Sequence, residues 1–184
     1  MQFKLDDVMS LTAARWAAAE GFDWVSFNFD KEATSYLPPF KANEIITWVK
    51  GPEFIGRCLN TEIQTIVDIY ELLHLKAIET SLNRAETLVY NHEIPVFIQV
   101  NVQNLNQAIT LANQQPLVLG LVFDSAETFN HSKGYSFGFV NADLNMVENP
   151  FGVNFSAPPE LETGFTDFEN LEKSVDLWKS HKKV

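Results

Sequence analysis

Short apolar runs alternate with stretches of helical periodicity along nearly the whole chain. Phe3–Asp7 reads as a first strand, Ser10 or Thr12 caps a helix after it, Ala13 to Ala19 is strongly helix-forming, and Gly21 ends that helix. Asp23–Phe29 is a second strand with partial alternation. A loop from Asp30 to Phe40, carrying Pro38-Pro39, leads to a helix over Lys41–Val49 that Gly51-Pro52 breaks. Phe54–Leu59 is a third strand. Asn60 or Thr61 caps the next helix, on which Ile63, Ile66, Val67, Ile69, Tyr70 and Leu73 form one apolar face. Leu75–Thr80 is a fourth strand, and Asn83 caps a helix to about Asn91. Ile94–Val100 and Leu117–Phe123 are nearly continuous apolar runs, as expected of parallel strands covered on both faces, with a helix over Gln103–Asn113 between them.

After the sixth strand the rhythm tightens. Ser125–Gly134 is too short and polar for a full helix, Tyr135–Val140 is a strand, and Asn141–Pro150 is another short connector. Gly152–Phe155 is the eighth strand. Phe168, Leu171, Val175 and Trp178 give the closing helix, Phe168–His181, its apolar face. Strands alternating with helices imply parallel pairing through right-handed crossovers. Eight of them predict an α/β fold, a compact and partly degenerate (β/α)8 TIM barrel with shortened connectors after strands six and seven. Those connectors account for a length of 184 residues, under the roughly 200 that mark the low end of this fold. The alternative is an open doubly wound sheet, but no Gly-rich turn follows the first strand to hold a dinucleotide. With no linker and no low-complexity stretch, a single domain over residues 1–184 is expected.

Composition narrows the classes of function. The 46% apolar content suffices for a substantial core, and no run of 18 apolar residues is present. The net charge of −11 is spread along the chain and argues against binding nucleic acid or anionic membrane, both of which need basic surface. The start, MQFKLDDVMS, lacks a signal-peptide pattern, and the lone Cys58 has no partner for an internal disulfide; a cytoplasmic location is the expectation. The histidines at 74, 92, 131 and 181 show no metal-ligand spacing, and no P-loop or Ser/His/Asp arrangement is visible, so neither metal nor cofactor is expected.

Several strand ends carry a specific likeness. Gly21–Phe29 (GFDWVSFNF) is similar to G-A-D-x-x-G-F-x-F, Phe54–Asn60 (FIGRCLN) to V-G-V-F-V-N, and Leu119–Ser125 (LGLVFDS) to a strand ending L-L-L-D-S. Leu75–Ser81 (LKAIETS) stands where L-D-x-V-Q-L-H is expected. Gly152–Asp167 resembles G-V-D-V-S-S-G-V-E-x-x-P-G-x-K-D without a gap, matching at Gly152, Val153, Ser156, Glu160, Gly164 and Asp167. Together, in order and over nearly the whole chain, these resemble phosphoribosylanthranilate isomerase, the barrel enzyme of tryptophan biosynthesis.

The resemblance implies an Amadori rearrangement of a small phosphorylated sugar, in which one acid protonates the ring oxygen and one base takes the C2 proton. By position, Asp6 would be the base and Asp124 the acid, and Ser156, Ser35, Glu79, His131 and Lys133 would line the substrate and phosphate sites. The departures fall on the same places. The family's K-x-C-G, whose cysteine is the base, reads Lys4-Leu5-Asp6-Asp7 here. Its S-P-R reads Ala33-Thr34-Ser35, without the arginine. Its Q-L-H-G is Glu79-Thr80-Ser81-Leu82, and its glycine-rich loop after strand six is reduced to Ser132-Lys133-Gly134. The paired glycines after strand seven are gone, and the phosphate-cradling Ser-Gly after strand eight is Ala157-Pro158, where proline removes a donor.

These departures favour a barrel that has lost or altered the ancestral activity and acts as a binding or regulatory protein. The alternative is an active phosphoribosylanthranilate isomerase, or a related sugar-phosphate aldose-ketose isomerase, using Asp6 and Asp124. A third reading is different chemistry built on Asp6, Glu79 and Asp124. A pairing of Glu79 with Arg57 inside the barrel reads as a structural ion pair. The side thinned by short connectors is where an apolar patch or a homodimer face is expected.

Overall fold

The computed structural model describes residues 1–132, 135, 137–142, 150–162 and 164–181. Its strands are β1 (Gln2–Asp6), β2 (Trp24–Asn28), β3 (Glu53–Arg57), β4 (Ala77–Ser81), β5 (Val96–Val100), β6 (Val118–Phe123), β7 (Gly138–Asn141) and β8 (Gly152–Ser156). All pair in parallel in sequence order, and β8 returns to β1, so the sheet is a closed barrel. The helices are α1 (Leu11–Ala19), α2 (Pro39–Trp48), α3 (Ile63–Leu73), α4 (Leu82–His92), α5 (Leu105–Gln114), α6 (Ala126–His131) and α7 (Glu169–His181). The expected α/β barrel with eight parallel strands is the observed one, and the connection after β6 is the short one, a six-residue helix. The expected short connector after β7 falls mostly on residues 143–149, outside the described residues.

Local differences have local causes. Helix α1 is capped by Ser10, whose hydroxyl accepts from the Ala13 N–H. Thr61 does not cap α3: its N–H and its hydroxyl both donate to Asp30, and Glu62 takes the cap position. Asn83 lies inside α4, which begins directly after Ser81. Strand β7 starts at Gly138, not Tyr135, because Tyr135 N–H is turned back to the Ser132 carbonyl. At Gly138 a Cβ would collide with the Phe123 ring, so the strand enters the barrel where only glycine fits.

Alternation divides the apolar residues into two cores. Leu5, Val25, Phe27, Ile78, Ile98, Leu121 and Phe155 face outward against the helices. Ile55, Ala77, Phe97, Val122 and Phe139 face inward and plug the barrel, with Trp24 and Phe151 packed against them. Edge-to-face contacts of Phe97 with Trp24 (5.2 Å) and with Phe139 (5.7 Å) hold this plug together. Each buried aromatic or branched side chain contributes about 1.5–3 kcal/mol of apolar transfer. Above the plug, toward the C-terminal ends of the strands, the interior turns polar.

Candidate active site at the barrel mouth

The polar interior starts with Lys4. Strand alternation puts Lys4 and Asp6 on the inner face of β1, and Lys4 is 0% exposed. Its ammonium contacts Glu79 on β4 and lies 3.0 Å from Asp6 Oδ1. Below, it sits 5.9 Å from the centroid of the Phe139 ring, a cation–π arrangement on the roof of the apolar plug. Arg57, beside Glu79 in the β3–β4 register, brings its Nε to 3.3 Å from Glu79 Oε1 and its Nη1 to 3.6 Å from Asp7 Oδ1.

Burial alone would push the Lys4 ammonium down, but Asp6 and Glu79 outweigh it and hold Lys4 above its ordinary value. Burial pushes the Glu79 carboxyl up; Lys4 pulls it back, Asp6 adds to the rise, and the result stays above the usual carboxylate range. Arg57 is likewise held up, chiefly by Glu79, against its own burial. Three carboxylates, Asp6, Asp7 and Glu79, face two cations here, Lys4 and Arg57.

Asp6 is committed on both oxygens: Oδ1 to Lys4, and Oδ2 as acceptor of a 2.6 Å bond from Asn154 Nδ2 on β8. Asn154 Nδ2 also reaches Asn141 Oδ1 at 3.2 Å, joining β7 to the same cluster. Asp7 follows with φ +57, the left-handed region that glycine enters freely and aspartate tolerates. That backbone state suits the glycine of the K-x-C-G pattern, and here it aims a carboxylate across the mouth. Asp7 Oδ1 accepts from Ser35 Oγ at 2.6 Å, and Ser35 Oγ accepts from Asn28 Nδ2 at 3.0 Å. Ser35, a predicted substrate residue, is thus engaged in holding Asp7.

Two cavities open at this end and share Asp7 and Arg57 as their partition. The larger, about 1000 Å³, lies over the loops after β2 and β3. Asp30 builds its wall: this buried carboxylate accepts from the N–H groups of Leu59, Asn60 and Thr61 and from the Thr61 hydroxyl. Arg84 clamps the same loop from α4 through the Thr61 and Asn60 carbonyls. The smaller cavity, about 390 Å³, lies between β1, β7, β8 and α7, beside Ser156 and Pro158. Asp6, Asp7 and Asp167 line it against the single guanidinium of Arg57, with Asn141, Asn154, Asn170 and Ser174 completing the wall.

The predicted residues divide accordingly. Asp6 and Ser156 are register partners on neighbouring strands and line one cavity. Glu79 lies beneath, 1% exposed. Asp124 does stand at the end of β6, but it lines neither cavity. Its Oδ1 accepts from Thr128 Oγ1 at 2.6 Å and Ser125 Oγ at 3.0 Å at the start of α6. His131 is exposed on α6, its Nδ1 2.8 Å from the Glu127 carbonyl. Lys133 lies outside the described residues. At the turn after β8, Ala157 N–H donates to the Asp6 carbonyl at 2.8 Å, and Pro158 has no N–H. Lys4, Asp7, Asp30 and Asn154 carry roles that the reading of strand ends passes over. The signal for Lys4 is in the sequence: a lysine two residues before Asp6 shares its face. Among the described residues no group of three His, Cys, Asp or Glu side chains is placed to hold a metal ion, and no helix is long and apolar enough to cross a membrane.

A closed parallel barrel with polar residues gathered at the C-terminal mouth is the (β/α)8 layout. No family model and no curated protein matches the chain. Solved structures do. The chain has the fold of phosphoribosylanthranilate isomerases. It is 18% identical, with TM-score 0.77, to such an isomerase solved with reduced 1-(o-carboxyphenylamino)-1-deoxyribulose 5-phosphate, all of both chains being covered. Monomers generated from the dimeric isomerase of Thermotoga maritima give 19% and 0.75, again over all of both chains. The isomerase of Pyrococcus furiosus gives 16% and 0.72 over the same full coverage.

Proposed function

We propose that the chain is a divergent, single-domain barrel of the phosphoribosylanthranilate isomerase family that no longer carries out the Amadori rearrangement and acts as a binding protein through its mouth. The observation that carries this reading is the wall beside Ser156. The Ala157 N–H is engaged by Asp6, Pro158 offers none, and three carboxylates outnumber one arginine. A phosphate dianion about 6 Å from one carboxylate is disfavoured by on the order of 5 kcal/mol at an effective dielectric of about 20. Arg57 offsets one such carboxylate and two remain, so repulsion wins.

The acid and base positions support the same reading. A base must reach the proton it takes, and Asp6 is held by Lys4 and Asn154. Asp124 turns its Oδ1 to the start of the next helix and lines neither cavity. Complementation of a tryptophan auxotroph lacking the isomerase tests this. No growth is expected; growth that depends on Asp6 and Asp124 would establish the active enzyme instead. Phe137, 53% exposed beside Tyr135 and Phe151 at the thinned side, supports a face for a second copy there, which sedimentation of the purified chain tests. A cytoplasmic location is part of the proposal, supported by the buried, unpaired Cys58.

A further inference from the structure

We infer that Glu79 governs the mouth through Arg57: when the buried carboxylate takes up a proton, the guanidinium turns from β4 toward Asp7, and the charge between the two cavities changes with pH. The switch belongs to the barrel itself, whatever the mouth binds. Its basis is a shared cation. Arg57 Nε lies 3.3 Å from Glu79 Oε1, and Nη1 lies 3.6 Å from Asp7 Oδ1. Both separations exceed the roughly 2.7–2.9 Å of a charge-assisted hydrogen bond. Nε is buried and has no hydrogen-bond partner among the described residues. The guanidinium is thus held between two carboxylates and closed onto neither. One of them, Glu79, is sealed inside the barrel; the other, Asp7, stands at the mouth with its side chain 26% exposed.

Charge balance locates the proton. Among the described residues, Lys4 and Asp6 from β1 and Arg57 from β3 are the charged groups that act on Glu79. Strand β5 sets the apolar Phe97 beside it in register, and the thiol of neighbouring Cys58 is kept neutral by its burial. A protonated Glu79 leaves two one-to-one pairs, Lys4 with Asp6 and Arg57 with Asp7. Asp6 and Asp7 also have neutral donors of their own, Asn154 and Ser35, whereas both Glu79 oxygens turn to cations that the other two carboxylates share. Burial, with Asp6 adding to it, holds the Glu79 carboxyl above the usual range in the same sense. Once Glu79 is neutral, β4 no longer draws Arg57. Asp6 is occupied by Lys4 and Asn154, and Asp30 by three N–H groups and the Thr61 hydroxyl. Asp7 is the anion left to the guanidinium. Both residues line both cavities, so each cavity feels the change.

The test is a pH titration of the intact chain by NMR, reading the carboxyl carbons of Glu79 and Asp7 and the Nε of Arg57. Glu79 is expected to titrate above its ordinary value of 4.5, with Arg57 Nε stepping at the same midpoint and Asp7 showing a second inflection there. In Glu79→Gln, which keeps the shape and removes the charge, the Arg57 step should vanish. Should that variant fail to fold, Asp7→Asn decides, since asparagine also tolerates φ +57. With Asp7 neutral, Arg57 settles on Glu79, whose proton affinity should fall by about threefold or more, the reciprocal of the same coupling. Four results would overturn the inference: an Arg57 Nε silent at the Glu79 midpoint, a step that survives Glu79→Gln, a Glu79 carboxyl that titrates at or below 4.5, or a Glu79 midpoint that Asp7→Asn leaves unmoved.

Discussion

Asn154 on β8 donates to Asp6 on β1 at 2.6 Å, across the seam where the barrel closes on itself and 148 residues apart in sequence. The bond lies inside the barrel, and its acceptor is a carboxylate already paired with Lys4. Replacing Asn154 with leucine should therefore lower unfolding stability by about 1.5–3 kcal/mol, the range for a buried hydrogen bond to a charged group. Urea unfolding measures it. A loss under about 0.5 kcal/mol would mean that the seam is held by the backbone ladder alone.

Lys4 should be the most sensitive single position of the interior. Lys4→Met leaves Asp6 and Glu79 facing each other in a site closed to water, and removing one partner of a buried pair typically costs about 3–5 kcal/mol. Lys4→Met combined with Glu79→Leu should recover part of that loss, because the Glu79 charge goes with it while the Asp6 carboxylate remains without its cation. A double-mutant cycle by denaturant unfolding reads the coupling, and an additive result would contradict the assignment.

The same pair sets a dependence on pH. Lys4 is raised in the folded chain, so its contribution is complete below its ordinary value of 10.5 and is lost as pH rises through the folded value. Glu79 is also raised, above 4.5; its contribution is complete below that value and is lost as pH rises through its folded value. Stability should thus fall across both windows as pH increases. Glu79→Gln should flatten the acidic-side slope and also weaken the alkaline fall, because Glu79 is one of the two carboxylates that raise Lys4, which unfolding midpoints at a series of pH values will show.

Asp30 should matter to the large cavity more than to the barrel. Its carboxylate gathers three consecutive N–H groups and a hydroxyl, so Asp30→Ala should cost about 3 kcal/mol, with Asp30→Asn milder. Amide exchange should accelerate at Leu59, Asn60 and Thr61 before it does in β3. Uniform acceleration would show that the loop and the barrel unfold together.

Asp7 offers a backbone test. A β-branched residue is poorly suited to φ +57, so Asp7→Val should lose about 1–2 kcal/mol from conformation alone, plus the contacts to Ser35 and Arg57. Asp7→Gly relaxes the backbone while giving up the same contacts, and should fall between the wild type and the valine variant. Thermal unfolding of the three proteins ranks them.

The barrel is legible in the sequence because inward and outward positions alternate so plainly. Ile94–Val100 and Leu117–Phe123 can only be covered strands, and the observed β5 and β6 lie within them. Element ends are less legible. Thr61 has the chemistry of a helix cap, but a carboxylate 31 positions earlier recruits it, and no local window contains both residues. The mouth divides in the same way. Asp6 and Ser156 can be placed together because strands one and eight must meet. Asp124 reads as their neighbour, yet its carboxylate turns to Thr128 in the next helix, a choice made by side-chain geometry rather than by strand position. Asn154 reads only as an inward residue of the last strand until Asp6 is set opposite it.

The layer of charge over the aromatic plug has a thermal consequence. Ions removed from water pay less for dehydration as temperature rises, because their hydration carries a large negative entropy. The apolar plug beneath, for its part, loses driving force on cooling. Lys4, Glu79 and Asp6 therefore sit where both contributions weaken in the cold, and the interior of this barrel is built to be firmer warm than chilled.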